Sequence, residues 1–230
     1  MCETCGCGDP ELIPVEIHES LLAGNNHTAA HNRQHFISHD VLALNLMGSP
    51  GSGKTAVLEA TADAMSHLRV AAVSGDLATD NDARRLSAAG IPCRSITTGS
   101  GCHLDAALVH DALHEIKLAE LDLMFIENVG NLVCPAIYDL GQLANVVALS
   151  VTEGEDKPVK YPVMFRNADL VLLTKVDLLP HLPNVDLAAI EDSLARTMPE
   201  PRMIQISSVT GEGIDEWAEW IGEQRECLKS

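Results

Sequence analysis

The amino-acid sequence predicts an α/β protein with a doubly wound, mostly parallel sheet. Two observations lead to this fold class. Short apolar runs typical of buried strands alternate with helix-like segments along most of the chain. One strand also runs into a glycine-rich loop and then a helix, which is the local order of a phosphate-binding site in such sheets. With 230 residues, the chain is long enough to bury one substantial core.

The predicted elements follow from the apolar pattern, taken in chain order. The first strand covers residues 41–47, and the helix after the glycine-rich loop covers residues 54–67. Gly90 ends the next helix, because glycine readily adopts the left-handed conformation found just after a helix. The remaining predicted strands cover residues 69–74, 121–127, 145–151, 169–174 and 203–206, and the remaining predicted helices cover residues 80–89, 104–119, 187–198 and 213–227.

An N-terminal extension is predicted to precede the main domain. Gly, Asn and His residues cluster within residues 24–39, just before the first strand, so the boundary is placed near Asp40. Residues 1–39 are then a tail with a linker helix, and residues 40–230 form the nucleotide-binding domain.

The glycine-rich loop predicts a bound nucleoside triphosphate. Residues 48–55 read GSPGSGKT, a full match to the phosphate-binding loop. Glycines let backbone N–H groups close around the phosphates, Lys54 reaches the β and γ oxygens, and the Thr55 hydroxyl ligates Mg²⁺. The helix that follows directs its positive N-terminal end toward the same anion. The predicted nucleotide contacts in this loop are Gly48, Gly51, Ser52, Gly53, Lys54 and Thr55.

A second motif favours guanine as the base. Residues 174–177 read TKVD and follow a predicted strand. The Asp177 carboxylate can accept hydrogen bonds from both N1–H and N2–H₂ of guanine, a donor pair that adenine lacks, while the Lys175 stem covers the ring face. GTPases usually carry Asn in place of Thr174, so the preference for GTP rests on Asp177. A later loop resembles the last guanine-contacting loop of such proteins and adds two predicted contacts, Ser207 and Ser208.

The overall charge limits the classes of partner. The chain carries 33 acidic and 15 basic residues, a formal net charge of −18, which disfavours binding to nucleic acid or anionic membranes. The N-terminus carries neither a basic segment nor a leader-like apolar region, and no apolar run approaches the roughly 20 residues of a spanning helix. We therefore expect a cytoplasmic protein, in which the seven cysteines are thiols and metal ligands rather than disulfides.

Three cysteines near the N-terminus predict a metal chelate. Residues 2–7 read CETCGC, and the two-residue spacing lets one turn bring Cys2 and Cys5 onto one ion, with Cys7 following a flexible glycine. If Met1 is removed, the α-amine of Cys2 completes an S₃N set suited to square-planar Ni²⁺ or tetrahedral Zn²⁺. The alternative is a tail with incidental thiols.

A second candidate metal site lies inside the main domain. Cys102 and His103 open one predicted helix, and Cys134 follows the strand after that helix, so all three lie near the carboxyl ends of strands, where ligand sites form in such sheets. Two thiolates and one imidazole leave the site open, and a two-fold partner could close it. The alternative is buried structural cysteines with a histidine that caps the helix.

Four histidines recur every four residues, at His27, His31, His35 and His39. This spacing lines them along one helix face, where they could form weak metal sites or a solvated surface. Several other residues have no evident partner in the sequence and are interpreted as structural or surface residues: Cys93, Cys227, His67, His110, His114 and His181.

Two longer motifs on the same chain point to a family. Residues 127–135 read ENVGNLVCP and residues 150–158 read SVTEGEDKP. Together with the phosphate-binding loop and the Cys-His pair, they make the sequence closely resemble HypB, the family of GTPase nickel chaperones of [NiFe]-hydrogenase maturation. The resemblance covers nearly the whole chain, including the N-terminal cysteines.

The resemblance implies a P-loop GTPase fold of the metallochaperone, SIMIBI-like type. Asp76 matches the acid expected near Mg²⁺, and Glu127 stands where many GTPases carry an Asp that contacts Mg²⁺ through water. The implied catalytic set is Lys54, Thr55, Asp76 and Glu127. The resemblance further implies a homodimer formed with GTP that holds nickel or zinc through Cys102, His103 and Cys134, and two partners, the HypA accessory protein and the hydrogenase large subunit.

Other functions stay open at this point. One is a GTPase chaperone for another metalloenzyme, such as urease or a cobalamin-dependent enzyme, which the N-terminal cysteine cluster disfavours. Another is a nickel storage or buffering protein in which nucleotide only stabilises the fold. A P-loop kinase is disfavoured because residues 174–177 select guanine and no acceptor pocket can be read from the sequence.

Overall fold

The computed structural model describes residues 15–76, 80–99 and 101–230. The predicted ligands Cys2, Cys5 and Cys7 lie outside the described residues. Within the described part of the chain, one parallel sheet forms the centre of the fold, with strands in the order β3-β2-β4-β1-β5-β6-β7. The strands are β1 Leu42–Gly48, β2 Val70–Asp76, β3 Cys93–Thr97, β4 Leu123–Glu127, β5 Ala144–Ser150, β6 Leu170–Thr174 and β7 Met203–Ile206.

Helices cover both faces of the sheet, which confirms the predicted doubly wound α/β fold. The α-helices are α1 Val15–Ser38, α2 Lys54–Ala64, α3 Asn81–Ala88, α4 Ala106–Leu113, α5 Lys157–Lys160, α6 Pro162–Arg166, α7 Leu187–Ala195 and α8 Ile214–Lys229. Short 3₁₀ turns cover Leu118–Glu120, Cys134–Ala136 and Val176–His181.

The central strands are mostly apolar because both faces of the sheet are buried there. In β1, Leu44 packs with α2 and α8 on one face, whereas Ala43 packs with α1 and α4 on the other. The side chain of Trp217 on α8 is fully buried, and its Nε1–H donates to Thr61 Oγ1 on α2 at 2.8 Å. This bond fixes α8 against the helix that follows the phosphate-binding loop.

Two differences from the sequence prediction have simple physical causes. The edge strand β3 was not predicted, because its residues Cys-Arg-Ser-Ile-Thr are partly exposed and lack a continuous apolar run. The prediction of one helix over residues 104–119 is also wrong. The apolar spacing continues past Leu113, where α4 ends, but Leu118 belongs to a separate 3₁₀ turn that packs into the core on the way to β4.

The described helix before β1 is more than a connecting segment. Phe36 of α1 is fully buried in the same core cluster as α4 and β1. Arg33 of α1 pairs with Asp139 at 2.7 Å, which ties the helix to the loop before β5. The division of the chain near Asp40 stays a sequence prediction. None of the helices in the described ranges combines the length and apolar character that crossing a bilayer demands.

Candidate functional site

The phosphate-binding loop connects β1 to α2, as the sequence predicts for this motif. Gly48 has a φ of 150°, and a Cβ there would lie 2.4 Å from the Ala148 carbonyl oxygen, so no side chain fits. Gly53 adopts a left-handed conformation, with φ 97°, immediately before α2 begins at Lys54. The loop therefore turns tightly enough for the N-terminal end of α2 to face a bound anion.

Lys54 is held inside this loop. Its side chain is buried, and Nζ donates to the carbonyl oxygens of Ser49 at 3.2 Å and Gly48 at 3.4 Å. Burial lowers the pKa of Lys54, while the nearby carboxylates of Glu127 and Asp82 oppose that shift. An ammonium group that is desolvated in this way gains strongly from a bound phosphate.

Thr55 lies between two carboxylates. Its Oγ1 is 2.7 Å from Glu127 Oε1 and 2.8 Å from Asp82 Oδ1, and Ser74 Oγ donates to the other Glu127 oxygen at 3.2 Å. One hydroxyl proton cannot serve both carboxylates, and burial raises the pKa of Glu127. The group consists of hard oxygen donors, which is the set that Mg²⁺ requires.

Asp82 is a member of this cluster that the sequence reasoning missed. The predicted acid, Asp76, ends β2 and lines the same cavity, but Asp82 from the first turn of α3 contacts Thr55 directly. The available signal was a set of three acids, with Asp76 at the end of β2, Asp80 before α3 and Asp82 in its first turn. Only the folded arrangement shows which of them faces Thr55.

A cavity of about 490 Å³ joins these groups. Its walls are the phosphate-binding loop, the carboxyl ends of β2 and β4, the start of α3 and Lys175. In open parallel sheets, ligands bind at this edge. The cavity thus offers a cation, several oxygen donors and a helix N-terminus to one polyanionic ligand.

The TKVD segment follows β6 and contacts the phosphate-binding loop. Lys175 adopts a left-handed conformation, with φ 62°, and its Nζ donates to the Gly51 carbonyl at 2.7 Å. Thr174 is buried, and its hydroxyl donates to the Ser52 carbonyl at 2.6 Å. This bond positions the loop, and the predicted contact of Thr174 with the nucleotide stays a prediction.

Asp177 is oriented by the loop after β7. Ser207 is fully buried, and its Oγ accepts from the backbone N–H groups of Val209 at 3.2 Å and Thr210 at 3.1 Å. The Ser207 hydroxyl proton is therefore directed to Asp177 Oδ1, 2.6 Å away. The other Asp177 oxygen is left available to a ligand, and Ser208 lies half-buried beside Ser207.

A sulphur and nitrogen cluster lies on loops after β3 and β4. The Sγ atoms of Cys102 and Cys134 are 2.8 Å apart, and Cys102 Sγ is 3.6 Å from His103 Nδ1. Ligand atoms of the three residues all lie within 4.8 Å of one another, and no other group of three in the described ranges converges in this way. Two thiols and an imidazole at these distances can share one Ni²⁺ or Zn²⁺ ion.

His103 is buried and does not cap the helix that follows it. Its ring stacks on Tyr138 with 3.9 Å between centroids, and burial lowers its pKa. The α4 cap is instead Asp105, whose side chain accepts from the Leu108 N–H. Cys102 and His103 thus lie just ahead of α4, and the alternative in which His103 caps the helix is wrong.

One loop connects the cavity to the cysteine cluster. A Cβ at Gly130 would lie 3.0 Å from Pro50, so this part of the loop packs directly on the phosphate-binding loop. Asn131 forms a β-bridge with Gly48, and its side-chain amide donates to the Cys102 carbonyl at 3.2 Å. Because Cys134 follows three residues later, this segment contacts both sites.

Two of the four regularly spaced histidines, His31 and His35 on α1, face α4. The His31 and His35 rings contact His110, and His110 contacts His114, although the sequence offered no partner for the last two. Whether any of His27, His31, His35 and His39 binds metal was left open by the sequence.

Known proteins resemble this chain over most of its length. A family model described as "CobW/HypB/UreG, nucleotide-binding domain" matches residues 42–205. The chain is 44% identical over 248 residues to hydrogenase maturation factor HypB of Cupriavidus necator, covering 90% of this chain and 68% of the relative. It is 47% identical over 221 residues to hydrogenase maturation factor HypB of Escherichia coli K12, covering 96% and 75%.

Two solved structures share the fold at substantial identity. The crystal structure of HypB from Helicobacter pylori in complex with nickel has a TM-score of 0.84 and 37% identity, covering 88% of this chain and 95% of that one. The crystal structure of hydrogenase maturation factor HypB from Archaeoglobus fulgidus has a TM-score of 0.81 and 36% identity, covering 89% and 100%.

Proposed function

The chain belongs to the HypB family of hydrogenase maturation factors, and from that premise we propose that it hydrolyses GTP to control the binding and delivery of nickel. The observation that carries this proposal is the loop 129–134, which contacts the phosphate-binding loop at one end and supplies Cys134 at the other. A change in the nucleotide can therefore reach the metal ligands through a few direct contacts.

The nucleotide half of the mechanism rests on residues already in position. Lys54 binds the β and γ phosphates, and Asp177 binds the guanine edge. Thr55, Asp76, Asp82 and Glu127 would hold Mg²⁺, which would neutralise charge on the phosphate oxygens. Glu127 is buried at the end of β4, where it accepts a hydrogen bond from Thr55 and would face the ion in a site that water does not screen. The products are GDP and phosphate.

Nickel is the cargo of the cysteine cluster. Cys102, His103 and Cys134 offer three ligands of a type that binds Ni²⁺ and also Zn²⁺. The exposed apolar side chains of Val133 and Ile137 flank Cys134 and favour a second subunit at this surface. We propose a homodimer in which each subunit contributes its three ligands, with the HypA accessory protein and the hydrogenase large subunit as donor or recipient of the ion.

Nickel affinity in two nucleotide states tests this function. The full chain carrying Cys2→Ala, Cys5→Ala and Cys7→Ala is titrated with Ni²⁺ in the presence of GDP or of a non-hydrolysable GTP analogue. We expect at least about fivefold tighter binding with the GTP analogue, within the usual range of coupling between two sites. The reason is that a γ-phosphate orders the loops that carry the ligands.

The controls use the remaining cysteines. Cys102→Ala or Cys134→Ala should remove both the nickel binding and the metal-promoted increase in mass measured by light scattering. Cys93→Ala, at a half-buried cysteine on β3, should change neither. Equal nickel affinity in the two nucleotide states would leave the cluster as a static site and favour the storage alternative.

Asn131→Ala is expected to uncouple the two sites. The substitution removes the side-chain bond to the Cys102 carbonyl while all three metal ligands stay in place. Nickel affinity with GDP should change less than about threefold. The ratio of the nickel affinity with the GTP analogue to that with GDP should fall toward one, because coupling needs a physical connection.

Asn167→Ala is the matched control for that variant. Asn167 Nδ2 donates to the Ala136 carbonyl at 2.9 Å and so holds the Cys134 turn from the side of α6, away from the phosphate-binding loop. Its loss should weaken nickel binding equally in both nucleotide states. A preserved ratio in Asn131→Ala would show that the coupling follows another route.

A further inference from the structure

Two pairs of histidines face each other across the contact between α1 and α4. His31 and His35 are four residues apart on α1. His110 lies on α4, and His114, four residues later, follows directly on its last residue, so each pair lies on one side of its helix. The ring centroids are 4.6 Å apart within the first pair and 4.7 Å apart within the second. Between the helices, His110 lies 5.1 Å from His31 and 6.2 Å from His35.

These separations bring the imidazoles close enough to share one metal ion after rotation of the rings, although their ligand atoms do not converge in this structure as those of the cysteine cluster do. Suppose that an ion lies about 2.1 Å from the ligating nitrogen of each of two imidazoles. The ring centroids are then about 4.5 Å apart when the nitrogen–metal–nitrogen angle is a right angle and about 5.2 Å apart at the tetrahedral angle. Their separation reaches at most about 6.4 Å, when the two ligands lie on opposite sides of the ion. The separations of the four contacting pairs, His31–His35, His31–His110, His35–His110 and His110–His114, fall within this range. The Nε2 atoms of His110 and His114 are 3.2 Å apart, which is already the distance between two ligands of one ion.

The environment of His110 fixes which of its nitrogens can bind a metal. Asn32 is fully buried, and its side-chain amide donates to the carbonyls of Ala106 at 2.9 Å and Leu140 at 3.1 Å. The Asn32 oxygen must therefore face His110 Nδ1, 2.9 Å away, so that Nδ1 carries the proton. The Nε2 lone pair is then directed toward His114, as in metal sites where a neighbouring group orients the ligating histidine.

The other histidines of the cluster are accessible and can adjust. His31 and His114 are exposed and His35 is half-buried, so a ring rotation at each is possible without repacking the core.

We propose that His31, His35, His110 and His114 form a nitrogen-only site for a divalent transition-metal ion, separate from the cysteine cluster. Imidazole suits Ni²⁺, Cu²⁺ and Zn²⁺, and four neutral ligands without a thiolate bind these ions more weakly than a thiolate site does. The proposal rests on the contact between α1 and α4 and not on the proposed function, so it stands whatever the cysteine cluster binds.

The test uses the full chain with the five predicted cysteine ligands replaced by alanine. Ni²⁺ is titrated against a chromophoric chelator, and its ligands are examined by X-ray absorption spectroscopy. We expect one equivalent of Ni²⁺ with nitrogen and oxygen ligands only. Paramagnetic Ni²⁺ should broaden the imidazole NMR signals of the four cluster histidines and leave those of His67 and His181 sharp.

Matched variants separate this site from general binding at surface histidines. His31→Gln and His114→Gln should each weaken Ni²⁺ binding at least about tenfold, as loss of a ligand or of its orienting group does in other sites. His27→Gln, at an exposed position one turn earlier on α1, should leave the affinity unchanged. Melting temperatures in the absence of metal check that each variant is folded.

Three results would overturn the proposal. The first is equal weakening by His27→Gln and His114→Gln, which would mean that any exposed histidine contributes. The second is broadening spread over all histidines. The third is a His114→Gln variant that lowers the melting temperature while nickel affinity is unchanged, which would make the ring contacts purely structural.

Discussion

Lys54→Ala is expected to reduce GTP hydrolysis at least about 100-fold, the usual scale for loss of one preorganised charged or hydrogen-bonding group at a reacting centre. Lys54 is the buried cation at the phosphate end of the cavity, and its Nζ is held by two carbonyls of the phosphate-binding loop. Phosphate release under steady-state conditions measures the effect. The nickel affinity of the N-terminal cysteines should be unchanged.

The variant should remain folded. Burial disfavours the charged form of Lys54, so replacing this side chain removes a desolvated charge from the nucleotide-free protein. Lys160→Ala is a suitable control, since Lys160 is exposed and pairs with Asp156 away from the cavity. Hydrolysis within a few-fold of the parent in folded Lys54→Ala would contradict the assignment of the phosphate site.

Asp177→Asn should change the preferred nucleotide from GTP to xanthosine triphosphate. Ser207 must donate its proton to the residue at this position, because its oxygen already accepts two backbone N–H groups. The amide oxygen of the variant is therefore held toward Ser207, and the NH₂ group points to the ligand. This NH₂ group would face the N2–H₂ group of guanine donor to donor, whereas it could donate a hydrogen bond to the carbonyl at C2 of xanthine.

The expected loss of GTP affinity is at least about 100-fold, because buried polar groups left unpaired are costly. Competition between GTP and xanthosine triphosphate in a filter-binding or fluorescence assay measures this change of preference. Asp186→Asn makes the same chemical change at the exposed cap of α7 and should affect neither nucleotide. Unchanged GTP affinity in Asp177→Asn would remove the guanine assignment.

The sequence predicted the features that depend on neighbouring residues. The central strands could be found because burial on both faces makes them continuously apolar, and the phosphate-binding loop because its chemistry is contained in eight consecutive residues. The edge strand β3 was missing from the prediction because it is partly exposed and therefore not continuously apolar. The predicted end of α4 was too late because the residues of the following 3₁₀ turn continue the apolar spacing of a helix.

The features that sequence reasoning missed depend on contacts between distant segments. Asp82 reaches Thr55 only once α3 packs beside α2, 27 residues away in the chain. The orientation of Asp177 is set by Ser207, which comes from a different strand end. The cysteine cluster was anticipated from the sheet topology and the family motifs together, but its contact with the phosphate-binding loop through Asn131 required the folded chain.

The hydrogen bond between Trp217 and Thr61 allows intrinsic tryptophan fluorescence to report on the helix that follows the phosphate-binding loop. The two tryptophans of the sequence, Trp217 and Trp220, both lie on α8 and stack with 5.2 Å between their ring centroids. Trp217 is hydrogen-bonded to the helix that follows the phosphate-binding loop. Tryptophan emission therefore comes entirely from the contact between α8 and that helix, and its intensity can follow events at the phosphate-binding helix in an unlabelled protein.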